Sequence, residues 1–545
     1  MFRPKFSTAT LPPLYRLRHA PAEQHLQPPR PGICGWRRPM DEVSIIWIDL
    51  AKRSIHLRGA SAMAVRHLKI TVLVAAILGG ITSVSGCGDA ATEPQTPAPR
   101  QPATVTVSPA TAQLAVLGAT VQLTARVRDQ NGQTMAGATL TWASSDTAVA
   151  TVSSAGLVTA AGNGKATITA GAGPASGTAM VTVVDFTALL RGFADRHGIG
   201  AAALGVMKNG EIVSEHAVGS MDAQRKVPIR QDVVMRLASV SKPITAAAIR
   251  TLANDGKLAL DDRVFELGQG DGGLLELEPF PQVGDSRLAD VTVLHLLQHR
   301  GGWDRGTAGD LTYREIEIAQ AMSISSPPGR DNTVRYILGQ PLQFAPGSQR
   351  VYSNIGYLVL GLIVEEVSGQ DYMTYVHENI FLPLGVPAGD VIQGRTFAAD
   401  RSAREPWYDA EGSARNVYDP SGPRVRWPDG GWDHEARIAQ GGLVASTRAI
   451  LAFLDVYQVA GDDIGSRRQG MEGDRWWWYH TGSLPGTNTL ALQRGNGINY
   501  VVLFNRRAPR ENRSYVELFR EAMEEQLANL AGMATPDAAT GWGPR

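Results

Sequence analysis

"RLASVSKPIT", residues 236–245, sets Ser239 three positions before Lys242 at the mouth of a helix. The fold of the chain turns on whether that pair is a nucleophile with its base or a helix cap followed by a surface lysine. At a helix start, positions i and i+3 share a face, so Lys242 can lie over the Ser239 hydroxyl, while the N-terminal amides favour negative charge nearby. Spacing alone does not decide, since about two S-x-x-K matches are expected by chance in a chain of this length. By themselves Ser239 would read as an N-cap and Lys242 as a solvated lysine.

Two further stretches accompany the pair. "RVYSNIGYLVLGLIVEEVSG", residues 350–369, holds Tyr352 and Asn354 in Y-x-N spacing, and "WWWYHTGSLPGT", residues 476–487, holds His480, Thr481 and Gly482. In the latter, Trp476, Trp478 and His480 alternate with Trp477, Tyr479 and Thr481, the period of a strand, so His480 points to one face. An H-T-G triplet arises by chance only about once in twenty such chains. In this order the three motifs resemble the S-x-x-K, Y-x-N and K/H-T/S-G signature of the serine β-lactamase and penicillin-binding-protein superfamily, nearest its class C-like, esterase-like branch. The resemblance spans residues 186–530 and includes "VTVLHLLQHRGG", "FAPGSQRVYSNIGYLVLG" and "GGLVAST".

The resemblance implies an α+β fold, an antiparallel sheet flanked by helices with a helical subdomain, and catalysis through a Ser239 acyl-enzyme. It places Lys242 and Tyr352 as the base pair, and Asn354, His480, Thr481 and Gly482 at the substrate, with Asn354 orienting Lys242 or the substrate amide. It assigns the backbone N–H groups of Ser239 and Ser483 to the oxyanion. A free lysine (pKa about 10.4) and a free tyrosine (about 10) are both wrongly protonated for this work at neutral pH. Burial would lower the lysine and a lysinium neighbour would lower the tyrosine, so that one proton is shared; which of the two is the base stays open. His480 departs from the lysine usual in penicillin-recognising members and is largely neutral near pH 7, which weakens carboxylate anchoring and favours an ester or amide of modest size. The alternatives are a β-lactamase or D-peptidase acting on β-lactams or peptidoglycan-type peptides, and a catalytically silent surface-binding lipoprotein.

The rest of the chain frames this domain. "MAVRHLKITVLVAAILGGITSVSGC" opens at Met63 with two basic residues, continues through an apolar run and ends in V-S-G-C. It reads as a lipoprotein signal peptide over 63–86 with Cys87 the lipidated residue, giving an exported protein anchored to a bacterial membrane on its periplasmic or cell-surface side. Residues 1–62 read as an extension upstream of the true start; an arginine-rich transit segment is the other reading. Residues 87–103 form a Pro-rich spacer. From 104 to 184 short alternating runs such as "VQLTARVRD" are separated by turn signals at Asn131-Gly132 and Gly162-Asn163-Gly164, predicting an all-β sandwich. Its "TWASSDTAVATVSSAGLVTAAGNGKATITA" resembles bacterial Ig-like domains of group 2, read as a spacer or as a module for a cell-surface ligand. Within 186–530, strands are expected over 201–219 with a turn at Asn209-Gly210, helices over 241–254, 291–299 and 355–368, a hairpin over 488–505 and a helix over 516–530. Residues 531–545 are expected to be a flexible tail.

The 545 residues carry 52 Lys+Arg and 52 Asp+Glu. The first 86 hold 12 basic and 4 acidic residues, leaving 40 basic and 48 acidic for the remainder, an acidic balance that argues against a nucleic-acid partner. Cys34 and Cys87 are the only cysteines, too few for a disulfide framework or a C-x-x-C metal site. With no H-E-x-x-H and no G-x-S-x-G, neither a metal, a cofactor nor an α/β-hydrolase elbow is expected. "GQGDGG" (268–273) lacks a strand-turn-helix frame and reads as a loop.

Overall fold

The computed structural model describes residues 99–531, except 116, 269, 271, 469–476 and 510. Residues 1–62, the signal segment 63–86, Cys87, most of the spacer, Trp476 and the tail beyond 531 lie outside the described residues.

The first part is all strand: β1 (Pro102–Ser108), β2 (Thr111–Leu114), β3 (Thr120–Gln122), β4 (Thr124–Asp129), β5 (Thr141–Ser144), β6 (Ala150–Val152), β7 (Leu157–Ala160), β8 (Gly164–Ala172) and β9 (Ala175–Val183). They pair as β2-β9-β8-β5, β3-β7-β6 and β1-β4, with β2 parallel to β9. In β8, Ala166, Ile168, Ala170 and Ala172 are buried and alternate with partly exposed neighbours, the period that made the strands legible. The core is built of valines and alanines, so the layers approach closely. A Cβ on Gly177 would stand 2.2 Å from the Val105 carbonyl oxygen.

The larger part begins with α1 (Phe186–His197), N-capped by Asp185, whose carboxylate accepts from the Ala188 amide. The hairpin β10 (Ala201–Lys208) and β11 (Glu211–Gly219) follows, then β12 (Met235–Arg236) and α2 (Ser241–Asn254). A mostly helical excursion contains β13 (Phe265–Glu266), β14 (Leu275–Glu276), α3 (Val293–Leu297), α4 (Arg305–Ala308), α5 (Glu315–Met322), α6 (Gly329–Leu338), α7 (Asn354–Ser368) and α8 (Tyr372–Val376). Short pieces, β15 (Val391–Gln393), β16 (Ser413–Ala414), β17 (Val425–Arg426) and β18 (Leu443–Ala445), and then α9 (Thr447–Val456) lead to β19 (Trp477–Leu484), β20 (Thr487–Arg494), β21 (Ile498–Phe504) and α10 (Tyr515–Ala531).

Strands from both ends meet in one antiparallel sheet, ordered β11-β10-β21-β20-β19. Both its faces are covered. Leu204, Val206, Tyr500, Val502 and Phe504 pack with α1 and α10, while Ala201, Ala203, Val501 and Leu503 face the core that holds α2, α7 and α9. This two-sided burial is why "YVVLF", residues 500–504, is a continuous apolar run. Helix α7 is apolar all round because it is central: every residue from Asn354 to Val364 is buried.

The structure departs from the expected helices: α1, α4, α5, α6, α8 and α9 were not anticipated. Over 291–299 only Val293–Leu297 is α-helical; Thr292 and His295 close a capping box at its start, and His299 adopts φ 59°, which ends the helical course. In the "GQGDGG" stretch the glycine amides at 268, 270 and 272 donate to the Glu266 carboxylate.

Phe504 joins the central sheet to both terminal helices, stacking on Phe193 and meeting Phe519 edge-on, each with a ring-centroid distance of 5.6 Å. Phe504→Ala should destabilise the domain by about 3–5 kcal/mol. Urea unfolding of the full chain checks this through a lower midpoint at unchanged slope.

Candidate active site

The site grows from the turn between β12 and α2. β12 pairs with β18, Met235 opposite Ala445 and Arg236 opposite Val444. After Leu237 the chain enters a short 3₁₀ turn (Ala238–Val240) that runs into α2, and Ala238 takes φ 48°. That left-handed conformation is unfavourable for alanine, so the surroundings must hold it. They do so in several ways. Ala238 is buried with Trp432 and Leu484. Thr489 Oγ1 donates to the Leu237 carbonyl at 2.7 Å. The Arg236 amide donates to Tyr408 Oη at 2.8 Å, which donates in turn to Glu405 at 2.7 Å. The Arg236 guanidinium, fully buried, lies 4.4 Å from the Tyr408 ring centre and donates to the Arg395 and Pro428 carbonyls.

Within this frame Ser239, Lys242 and Tyr352 come together. Lys242 Nζ lies 3.2 Å from Ser239 Oγ, and Tyr352 Oη donates to the same oxygen at 2.7 Å. Ser239 is half-buried and Lys242 completely buried. Lys242 also donates to the Gln440 carbonyl at 2.5 Å. Burial holds the Lys242 ammonium below the usual lysine range; the charge of Tyr352 and a hydrogen bond to it, and then Asp310, oppose this, while Arg305 adds to it. Tyr352 is itself enclosed. The His299 ring lies 4.7 Å from its centre on one side, and the Arg305 guanidinium lies at the same distance.

Asn354, first residue of α7, donates from Nδ2 to Asp310 Oδ2 at 2.6 Å and makes no hydrogen bond with Lys242. Asp310 Oδ1 accepts from the amide and hydroxyl of Thr312, Thr312 Oγ1 accepts from Gln440 Nε2, and the Gln440 carbonyl faces Lys242. The Y-x-N motif is thus linked to the lysine through the side chain and backbone of Gln440, by residues that no motif marked. The turn carrying Gln440 can approach because α7 has Gly361 there, where a Cβ would stand 2.4 Å from Ala439 Cβ.

β19 forms the opposite wall and is the edge of the sheet, so alternate backbone groups along it have no ladder partner. Gly482 lies against the Ser239 turn: a Cβ there would stand 2.2 Å from the Leu237 carbonyl oxygen. Thr481 precedes it, and Ser483, exposed, is paired with Asn488 in the ladder. His480 Nδ1 is 3.0 Å from the Thr481 carbonyl, which can only accept, so the proton belongs on Nδ1 and Nε2 keeps its lone pair. Burial, and then Lys242, push the His480 pKa down to about 3, so the ring is neutral.

His299, Asp310, Arg305 and Gln440 escaped the sequence reading. His299 lies inside "VTVLHLLQHRGG" and Gln440 just before "GGLVAST", but a phrase does not say which of its side chains turns inward. Arg305 opens the four-residue α4 and Asp310 lies just after it, in a stretch with no periodic pattern. Beyond that stretch, a cleft of ≈ 270 Å³ opens among Tyr313, Ile316, Ala414, Val417 and Trp427. Among the described residues no group of His, Cys, Asp or Glu side chains is placed to hold a metal ion.

The Beta-lactamase family matches residues 186–522, and the bacterial Ig-like domain (group 2) family matches residues 103–183. Esterase EstB of Burkholderia gladioli is 35% identical over 195 residues, covering 35% of this chain and 47% of the esterase. Penicillin-binding protein 4* of Bacillus subtilis (strain 168) is 31% identical over 181 residues, covering 33% of this chain and 35% of that protein. The chain therefore spans about a third to a half of the length of these relatives. A solved structure, the octameric penicillin-binding protein homologue from Pyrococcus abyssi, is similar over 64% of this chain and 78% of its own, with 22% identity and a TM-score of 0.44. The first family match covers more than half of the sequence, and it includes the serine, lysine, tyrosine and histidine gathered around the β12–α2 turn: the chain belongs to the Beta-lactamase family.

Proposed function

We propose that the protein is a serine hydrolase that cleaves a small ester or amide through an acyl-enzyme on Ser239. The observation that carries this reading is the contact of one hydroxyl with both a buried amine and a phenol, at 3.2 and 2.7 Å. As Ser239 Oγ bonds to the substrate carbonyl carbon, its proton passes to the Tyr352–Lys242 pair and the carbonyl electrons move to oxygen. The Ser239 and Ser483 amides receive that oxyanion. Collapse breaks the bond to the leaving atom, which takes the proton back from the pair. Water then attacks the acyl carbon, gives a proton to the same pair and releases the acid, and Ser239 regains its hydrogen.

Neutral His480 favours ester or amide substrates over β-lactams, because the wall that would meet a carboxylate offers a lone pair instead of a cation. On the sequence grounds of residues 63–87 the protein is taken as exported and lipid-anchored at Cys87. The Ig-like sandwich is then a spacer that holds the hydrolase away from the membrane.

Ser239→Ala should fold normally and lose turnover of p-nitrophenyl esters by at least about a thousandfold. Unchanged ester turnover, with wild-type circular dichroism, would remove the acyl-enzyme. Nitrocefin is expected to be a poor substrate; hydrolysis of nitrocefin in preference to the esters would favour the β-lactamase reading.

Lys242 is faced by Tyr352 and Tyr357 from α7 and the loop before it, by Asp310 and Arg305 from the α4 loop, and by His299 and His480. Of these, Asp310 is the carboxylate that supports the ammonium. Asp310→Asn keeps an acceptor for Asn354 and Thr312 but removes the charge, so Lys242 should release its proton more readily. The limb of the kcat/KM profile that reports Lys242 should move to lower pH, whichever member of the pair is the base. A lowered plateau with unmoved limbs would make Asp310 merely structural.

A further inference from the structure

Arg305 has an unusual situation for an arginine beside a reactive site. Its guanidinium lies 4.7 Å from the centre of the Tyr352 ring, and among the described residues it has no hydrogen-bond or ion-pair partner. The nearby arginines are committed: Arg300 to the Gly347 carbonyl, Arg314 to the Ala308 carbonyl and Arg350 to Asp462. The acids flanking Arg305 are committed as well. Asp304 caps its own turn through the Gly306 amide and the Thr307 hydroxyl, and Asp310 accepts from Asn354 and Thr312. A planar cation held on an aromatic face keeps its edge donors available, in the fork that suits a carboxylate.

The position says which half of a substrate it meets. Resting on the acyl-enzyme reading above, Tyr352 belongs to the pair that returns the proton to the leaving atom, so that atom lies at the phenol during cleavage. Arg305 covers the ring of that phenol. The β19 wall carries no competing cation, since His480 is neutral.

We propose that Arg305 is the anchor for a carboxylate on the leaving half of the substrate, so that the preferred esters or amides are those that release an acidic alcohol or amine. The recognition charge sits on the α4 loop beside Tyr352 instead of on the strand that carries His480. The reaction is thus placed downstream of chemistry that acylates a hydroxy acid or an amino acid.

The test uses the full chain and two matched esters, 3-acetoxybenzoate and 3-acetoxybenzamide, which release a charged and a neutral phenol. Wild type should favour the carboxylate in kcat/KM by about tenfold, mostly through KM. Arg305→Ala should abolish that preference, its loss in kcat/KM on the benzoate exceeding its loss on the benzamide by about tenfold, Arg305→Lys should keep part of it, and added salt should weaken it in wild type. A ratio unchanged in Arg305→Ala, equal losses on both esters, or turnover of neither ester by protein that still labels at Ser239 with a fluorophosphonate would each overturn the assignment. Retained turnover of both esters in Ser239→Ala is a different failure, that of the acyl-enzyme itself.

Discussion

The site depends on the burial of one amino group. Lys242 has no exposed surface, and an ammonium taken from water is costly unless its hydrogens find acceptors and its charge finds a partner. The protein supplies a carbonyl from Gln440, the oxygen of Ser239, the phenol of Tyr352 and, one step further out, the carboxylate of Asp310. In the proposed mechanism, the lowered pKa that burial gives Lys242 lets it exchange a proton with the serine within its reach. Much of the surrounding fold serves that balance. α2 and α7 are apolar on nearly every side because the charge they flank must be kept dry.

Positioning comes from outside the motifs. The strained Ala238 turn is held by Thr489 from β20, by Trp432 and Leu484, and by a buried lattice of Arg236, Tyr408 and Glu405. The Ser239 hydroxyl is therefore fixed by three separate parts of the chain, so small shifts in any of them would be felt at the site. The second wall is the exposed edge of a sheet that is otherwise covered on both faces, and its Gly482 lets strand and turn approach to a distance that no side chain would tolerate.

What the sequence revealed follows from how local each feature is. Ser239 and Lys242 were legible because one helical turn brings them together, and the sandwich strands because alternating burial writes period two into the chain. Tyr352 and His480 were legible only as members of a pattern, since nothing local says that residues more than a hundred positions from Lys242 will come to lie beside it. His299 and Asp310 were not legible: one sits on a left-handed turn that cut the expected 291–299 helix short, and the other in an irregular loop. Asn354 was expected at Lys242 or the substrate, yet it reaches the lysine only through Asp310, Thr312 and Gln440. α1 was hidden at the junction of two domains, where the change of period leaves too short a window to read.

The central claim is that Lys242 and Tyr352 make Ser239 reactive. The most direct measurement is the rate at which a fluorophosphonate labels Ser239, followed by intact-protein mass in wild type, Lys242→Met and Tyr352→Phe, each shown to be folded. The account predicts labelling at least about a hundredfold slower in Lys242→Met, with Tyr352→Phe also slowed. Labelling of Lys242→Met at the wild-type rate would contradict it.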